Sequence, residues 1–223
     1  MWFTRASERR RMVRRQLAAR GIADRRVLAA MAAVPREEFV GPAQVRDAYG
    51  DHPLVIGSGQ TISQPYIVAL MTEAAHLGRR SRVLEVGTGS GYHAAILARL
   101  AGHIWTIERL PELAATARRQ LAATGADNVT VLVGDGTAGY PPAAPFDAIL
   151  VAAAAAAPPP ALLRQLAPAG RLIIPVGPLD VQDLLVYERT PSGIAARSLC
   201  ACCFVPLIPS GAGTHGGAAP LAV

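Results

Sequence analysis

The chain has 223 residues, 51% of them hydrophobic, and carries a net charge of +6 from 22 arginines with no lysine. That length and apolar content suffice for one continuous core, so a single domain over residues 1–208 is expected and a second is not needed. The longest apolar run, residues 148–157, stops at Pro158-Pro159-Pro160 and falls short of the roughly 20 helical residues that cross a bilayer. Met1-Trp2-Phe3-Thr4-Arg5 leads straight into arginines without the apolar stretch of a signal peptide, which points to a cytoplasmic protein with no membrane partner.

Helical spacing runs over residues 7–20 and 24–33, closed by Gly21 and Pro35, and predicts a helical cap within residues 1–60. Ten arginines lie in residues 1–36 against only Glu8 and Asp24, so the basic character sits in this arm. The arm has the charge of a nucleic-acid contact. The same arginines, Arg9, Arg10, Arg11, Arg14 and Arg15, also suit the solvated face of a helix that turns Met12, Val13 and Leu17 inward, and that reading is preferred.

Gly57-Ser58-Gly59-Gln60-Thr61-Ile62-Ser63-Gln64-Pro65 follows, dense in hydrogen-bonding groups. Extended backbone would send Thr61 and Ser63 to one side and Gln60, Ile62 and Gln64 to the other. Pro65 then opens a helix over residues 66–77, which Ser63 or Gln64 could cap.

The strand-like residues 83–86 run into Glu85-Val86-Gly87-Thr88-Gly89-Ser90-Gly91, and a helix is predicted over residues 92–100. Glycines there allow a sharp strand-to-helix turn and let a ligand approach bare backbone and helix amides. The spacing is Gly-x-Gly-x-Gly, not the Gly-x-Gly-x-x-Gly of dinucleotide sites. Glu108 closes the next predicted strand, 104–107, where a carboxylate can accept from both hydroxyls of a ribose. Glu85, just before the first glycine, suits a cofactor with an ammonium group better than one with a pyrophosphate. These features favour S-adenosylmethionine over NAD. Gly134-Asp135-Gly136, after the strand 129–133, offers a carboxylate and free backbone to an adenine edge, so Asp135 and Gly136 join the candidate cofactor residues.

Further strands are predicted at 146–151, 172–176, 184–187 and 202–207, with helices at 111–124 and 161–166. This alternation describes an α/β fold: a Rossmann-like sheet of seven mostly parallel strands with helices on both faces. The last two strands lack an intervening helix and should form an antiparallel hairpin around residues 189–193. Cys200, Cys202 and Cys203 include one Cys-x-x-Cys but no second pair, so no metal is expected and the thiols read as small buried hydrophobes. Residues 209–223, rich in Gly, Ala and Pro, read as a mobile tail.

Gln60-Thr61-Ile62-Ser63-Gln64-Pro65, Val83-Leu84-Glu85-Val86-Gly87-Thr88-Gly89-Ser90-Gly91-Tyr92, Gly134-Asp135-Gly136, Phe146-Asp147-Ala148-Ile149 and Phe204-Val205-Pro206-Leu207 together resemble the protein-L-isoaspartate O-methyltransferase family. Val34-Pro35-Arg36 and Phe39-Val40 extend the likeness, which runs from about Met12 to Leu207. The Gln-Thr-Ile-Ser-Gln-Pro run is its specific part. The resemblance implies methyl transfer from S-adenosylmethionine, leaving S-adenosyl-L-homocysteine, to the free α-carboxylate of L-isoaspartyl residues in damaged proteins and peptides. It implies Ser63 as the active-site residue, Thr61, Ile62 and Gln64 at the carboxylate and methionine end, and Val205, Pro206 and Leu207 along the substrate backbone. A monomer is expected. The chain departs from the family where Ala152 and five further alanines replace a Thr-Ala-Ala-Pro type segment. Two rivals stay open: a relative acting on one dedicated peptide, and a nucleic-acid-binding methyltransferase using the arginine arm. Few aromatics (5%) are available to stack bases in the second.

Overall fold

The computed structural model describes residues 3–209. Most of the expected tail, residues 210–223, therefore lies outside the described residues. Helix α1 (Phe3–Met12) continues through a π turn and a 3-10 turn to Arg20, where Gly21 stops it in the left-handed conformation (φ 97°). Met12 and Leu17 are buried while Arg10, Arg11, Arg14 and Arg15 are exposed, as the amphipathic reading requires. Arg9 departs from that reading. Its guanidinium donates to the Ala32 carbonyl (2.7 Å) and the Tyr49 hydroxyl (3.1 Å) and lies 3.7 Å from Glu37.

Helix α2 (Arg25–Ala33) starts at Asp24, whose side chain accepts the Arg26 N–H. After two 3-10 turns the chain makes a hairpin that periodicity does not announce: β1 (Leu54–Gly57) pairs antiparallel with β2 (Gln60–Ile62). Its turn places Gly57, Ser58 and Gly59 at positive φ, at a cost only Ser58 bears. Helix α3 (Pro65–Ala74) follows with Pro65 at its first turn.

The main sheet contains β3 (Arg82–Val86), β4 (His103–Glu108), β5 (Val129–Val133), β6 (Phe146–Val151), β7 (Leu166–Val176), β8 (Gln182–Thr190) and β9 (Gly193–Cys202). Their order is β5-β4-β3-β6-β7-β8-β9, parallel as far as β7 and antiparallel from there. Successive residues of β3 alternate between faces. Val83 joins a core shared with the N-terminal helices, α3 and α4 (Tyr92–Ala98); Leu84 and Val86 join a second core with Leu162 of α6 (Pro160–Arg164). Each such buried aliphatic side chain is worth about 1.5–3 kcal/mol. Helix α5 (Pro111–Ala123) bridges β4 to β5.

Two expectations are corrected. The final strand is not residues 202–207 but Gly193–Cys202, an edge strand whose first six residues are exposed. The hairpin turn falls at 190–193 as expected, but β9 starts directly after it and extends the ladder to Cys202. Phe204 then leaves the sheet, its N–H taken by the Gln182 side chain (2.7 Å). The cysteines are not uniformly buried either. Cys200 and Cys202 are half-buried, Cys203 is exposed, and desolvation pushes the Cys202 thiol up to about 12. An edge strand has only one neighbour and cannot bury its outer residues. No described helix is long and apolar enough to cross a membrane.

Candidate cofactor and acceptor site

The chain steps from β3 outward to β4 and β5, then returns to place β6 on the other side of β3. Crevices at such a reversal, beyond the carboxyl ends of the strands, are where open α/β sheets hold ligands. A solvent-open cleft of about 550 Å³ lies there. Val86 and Gly87 at the end of β3, Glu108 at the end of β4 and Gly134 with Gly136 after β5 line it. Ala152 and Ala153 form another wall, and Gln60 with Val205, Pro206 and Leu207 complete it.

The glycine loop is built tightly. Gly87, Gly89 and Gly91 all have positive φ, and a Cβ on Gly91 would stand 3.3 Å from both Ala117 and Leu121 of α5. Glu108 fastens the loop from the neighbouring strand: Oε2 accepts the Gly89 N–H (2.9 Å) and Oε1 the Leu110 N–H (3.0 Å). A carboxylate has about four acceptor sites, so capacity remains for a ligand's hydroxyls. Gly136 is required for a different reason. A Cβ there would come within 2.2 Å of Val86 Cγ1.

Thr88, Ser90 and Glu85 lie beneath the loop and are not among the cleft-lining residues. The Ser90 hydroxyl accepts the Tyr92 N–H at 3.3 Å. The Thr88 and Thr106 hydroxyls are 2.7 Å apart, and Thr106 donates to Glu85 Oε2. Burial raises the Glu85 carboxyl to about 8, against the opposing Thr106 hydrogen bond. Across from it stands His93, a residue that motif reading passes over. Its Nδ1 is 3.6 Å from Glu85 Oε1 and its Nε2 is 3.0 Å from the Thr72 hydroxyl. Thr72 already donates to the Val68 carbonyl (2.7 Å), so the proton on that contact belongs to His93 Nε2. Burial lowers His93 to about 4, so desolvation favours the neutral form of both partners.

Asp135 caps the turn that follows it: Oδ1 accepts the Thr137 N–H (2.8 Å) and hydroxyl (2.7 Å). Its flanking glycines line the cleft instead. The β1–β2 hairpin covers the glycine loop, since a Cβ on Gly89 would touch Ile56 at 3.4 Å and Ser58 Oγ donates to Glu112 of α5 (3.2 Å). In β2, Thr61 is exposed and Ile62 buried, as alternation requires. Neither the Ser63 nor the Gln64 side chain caps α3, and the Ser63 hydroxyl has no hydrogen-bond partner among the described residues. Gln64 Nε2 binds Asp51 twice, and Asp51 in turn takes the Tyr66 N–H.

The alanine run has a clear place. Ala152 N–H donates to the Val86 carbonyl (2.8 Å), Ala154 N–H to the Val205 carbonyl (2.8 Å), and Leu207 N–H to the Ala154 carbonyl (2.7 Å). The first ties the alanine run to the end of β3, and the other two dock the segment after β9 on the cleft. Ala152 and Ala153 were recognisable only by position, directly after a parallel strand. Gln60 belonged to the polar run that singled out Thr61 to Gln64 and is its one residue on the cleft wall.

A sheet of this order, ending in an antiparallel pair and carrying a glycine loop and an acidic residue on adjacent parallel strands, is the Rossmann-like methyltransferase fold. Comparison with known proteins narrows the class. A family model described as Protein-L-isoaspartate(D-aspartate) O-methyltransferase (PCMT) matches residues 7–211, and the chain belongs to that family. It is 58% identical over 206 residues to the protein-L-isoaspartate O-methyltransferase of Methanoregula boonei, covering 92% of this chain and 95% of that one. A second relative, from Methanoculleus marisnigri, is 53% identical over 90% of this chain and 91% of its own. Among solved structures, a Plasmodium falciparum PCMT in complex with S-adenosyl-L-homocysteine superposes with a TM-score of 0.77 at 27% identity, over 90% of this chain and 98% of that one. Another solved protein-L-isoaspartate O-methyltransferase gives 0.80 at 28% identity over 88% of this chain; the match spans 65% of that longer protein.

Proposed function

We propose that the protein transfers the methyl group of S-adenosylmethionine to the free α-carboxylate of L-isoaspartyl residues in damaged proteins and peptides, the first step of repair through a succinimide. One observation carries this reading: Gln60 of the polar run and Val205–Leu207 line the same cleft as Gly87 and Glu108. Acceptor and cofactor elements therefore meet at one place.

The cleft suits the cofactor chemically, with apolar Val86 and Ile107, bare backbone at Gly87 and Gly136, and a carboxylate at Glu108. Glu108 holds the ribose hydroxyls, the loop from Gly87 to Gly91 takes the methionine side, and Asp135 with Gly136 meets the adenine edge. Glu85 lies off the cleft, fully buried and hydrogen-bonded by Thr106, so it supports the loop and does not pair with the cofactor's ammonium. When bound, the cofactor supplies an electrophilic methyl group on a sulfonium. The acceptor carboxylate, with an ordinary pKa of roughly 3.5, is already ionised at neutral pH and needs no general base. Ser63, whose hydroxyl has no hydrogen-bond partner among the described residues, offers it to that carboxylate, with Thr61 and Ile62 beside it. Val205, Pro206 and Leu207 align the substrate backbone. Orientation of this kind can contribute up to about 7–11 kcal/mol.

The cleft residues all fall within 60–208, in keeping with a single catalytic unit over 1–208; a cytoplasmic monomer is part of the same proposal. In the basic arm, Arg5 bonds the Val45 carbonyl, Arg9 bonds Ala32 and Tyr49, and Arg20 pairs with Asp51, which favours a packing role over nucleic-acid binding. A panel of isoaspartyl peptides against matched aspartyl peptides, assayed with labelled S-adenosylmethionine, tests the reading. Labelling across many isoaspartyl sequences supports it; labelling of one special peptide, or of aspartyl controls equally, rejects it.

A further inference from the structure

Gln64 commits both amide hydrogens to a single residue. Its Nε2 donates to the backbone carbonyl and to Oδ2 of Asp51, each at 2.9 Å. Asp51 Oδ1 accepts the Tyr66 N–H (3.3 Å), so a carboxylate 15 positions upstream does the capping of α3 that Gln64, at the cap position, does not. Arg20 closes the arrangement by pairing with Asp51 Oδ2 and lying over the Tyr66 ring, 3.6 Å from its centroid. The reverse amide orientation would set Gln64 Oε1 against two Asp51 oxygens, so Asp51 dictates which way the amide points. With both N–H groups engaged, Gln64 has none to give an acceptor carboxylate.

Ser63 is thereby held from both sides. Ile62 before it is registered against Leu54 in the hairpin, and Gln64 after it is tied to Asp51. We propose that Asp51 is a positioning residue for methyl transfer: through Gln64 and the first turn of α3 it fixes the backbone that presents the Ser63 hydroxyl to the acceptor. The proposal rests on the role given to Ser63 above.

The test is steady-state kinetics on an isoaspartyl peptide, with S-adenosylmethionine calorimetry and thermal unfolding, for the wild type, Asp51→Asn, Asp51→Ala, Gln64→Ala and the Asp51→Ala/Gln64→Ala double variant. A displaced Ser63 should lower kcat on the order of 10- to 100-fold. Cofactor affinity should stay within about threefold in Asp51→Ala, because Asp51 touches no cleft residue through a side-chain bond. The double variant should be no slower than the slower single one, since both act through one contact. Asp51→Asn keeps a capping oxygen and should fold even where the alanine variant does not; its kcat should still fall. A lowered melting temperature with unchanged kcat, or losses that multiply in the double variant, would overturn the proposal. A wild type inert toward isoaspartyl peptides would instead remove the functional reading and this inference together.

Discussion

The Oε2 atom of Glu108 accepts the backbone N–H of Gly89 at 2.9 Å. The carboxylate on the cleft wall is therefore also the clamp on the glycine loop, and under the cofactor role proposed for it above, affinity and loop order would be coupled at one side chain. Glu108→Gln leaves a single oxygen to serve two amides, so one of them faces an N–H donor. We expect S-adenosylmethionine to bind at least about tenfold more weakly, with a lower melting temperature, because hydrogen bonds to charged groups contribute about 1.5–3 kcal/mol. Calorimetry and thermal unfolding check this; unchanged affinity would place the carboxylate outside the cofactor site.

Gly136→Ala forces a methyl group to within 2.2 Å of Val86 Cγ1, a stiff β-branched side chain at the end of β3. Overpacking of this sort costs about 1–3 kcal/mol. Denaturant unfolding should show that loss, and Val86→Ala in the same chain should recover part of it. No recovery would mean the strain is relieved elsewhere.

The Glu85–His93 pair sets a pH dependence of stability. Glu85 is raised to about 8, so its contribution is complete below the unfolded carboxylate value and fades as pH rises toward 8. His93 is lowered to about 4, so its contribution is complete above about 6.5 and is lost as pH falls toward 4. The two slopes oppose each other in the acid range, and above about pH 6.5 only that of Glu85 remains. Glu85→Gln should therefore gain stability relative to wild type between about pH 6.5 and 8, by at most about 1.4 kcal/mol per pH unit. Unfolding curves at pH 6.5, 7.2 and 8 measure it; a pH-independent difference would show that Glu85 is ionised in the folded protein.

Ser63→Ala should reduce turnover of isoaspartyl peptide while leaving cofactor affinity and melting temperature near their wild-type values, because the Ser63 hydroxyl has no hydrogen-bond partner among the described residues and caps no helix. Full turnover in that variant would assign the acceptor contact to another residue.

The parallel strands were legible as short apolar runs: residues 83–86, 104–107, 129–133 and 146–151 all fall within the observed strands, and in β3, β4 and β6 burial on both faces writes the run, while β5 at the outer edge is only half-buried. The exposed edge strand Gly193–Cys202 has no such constraint and leaves no periodic trace. The β1–β2 hairpin was hidden by its shortness and by Ser58, which takes a positive φ where glycine is the usual choice. Within the site, Gly87, Glu108 and Gly136 were readable from their places at strand ends. The link from Asp51 to Gln64, and His93 beside Glu85, depend on how α3, α4 and the N-terminal cap are brought together, and no local pattern encodes that.

The segment after β9 is hydrogen-bonded to Ala154 through peptide groups alone, while the Val205 and Leu207 side chains pack against the second core. The polar ties of this wall therefore need no particular side chain, which is how a run of alanines can stand there and keep them. Proline at Ala154 or Leu207 would remove an N–H that these bonds need, and the burial of Ala153 and Ala154 keeps the side chains there small. The path of this wall is thus written in two main-chain hydrogen bonds, from Ala154 to Val205 and from Leu207 to Ala154, and not in any side-chain polar contact between the two segments.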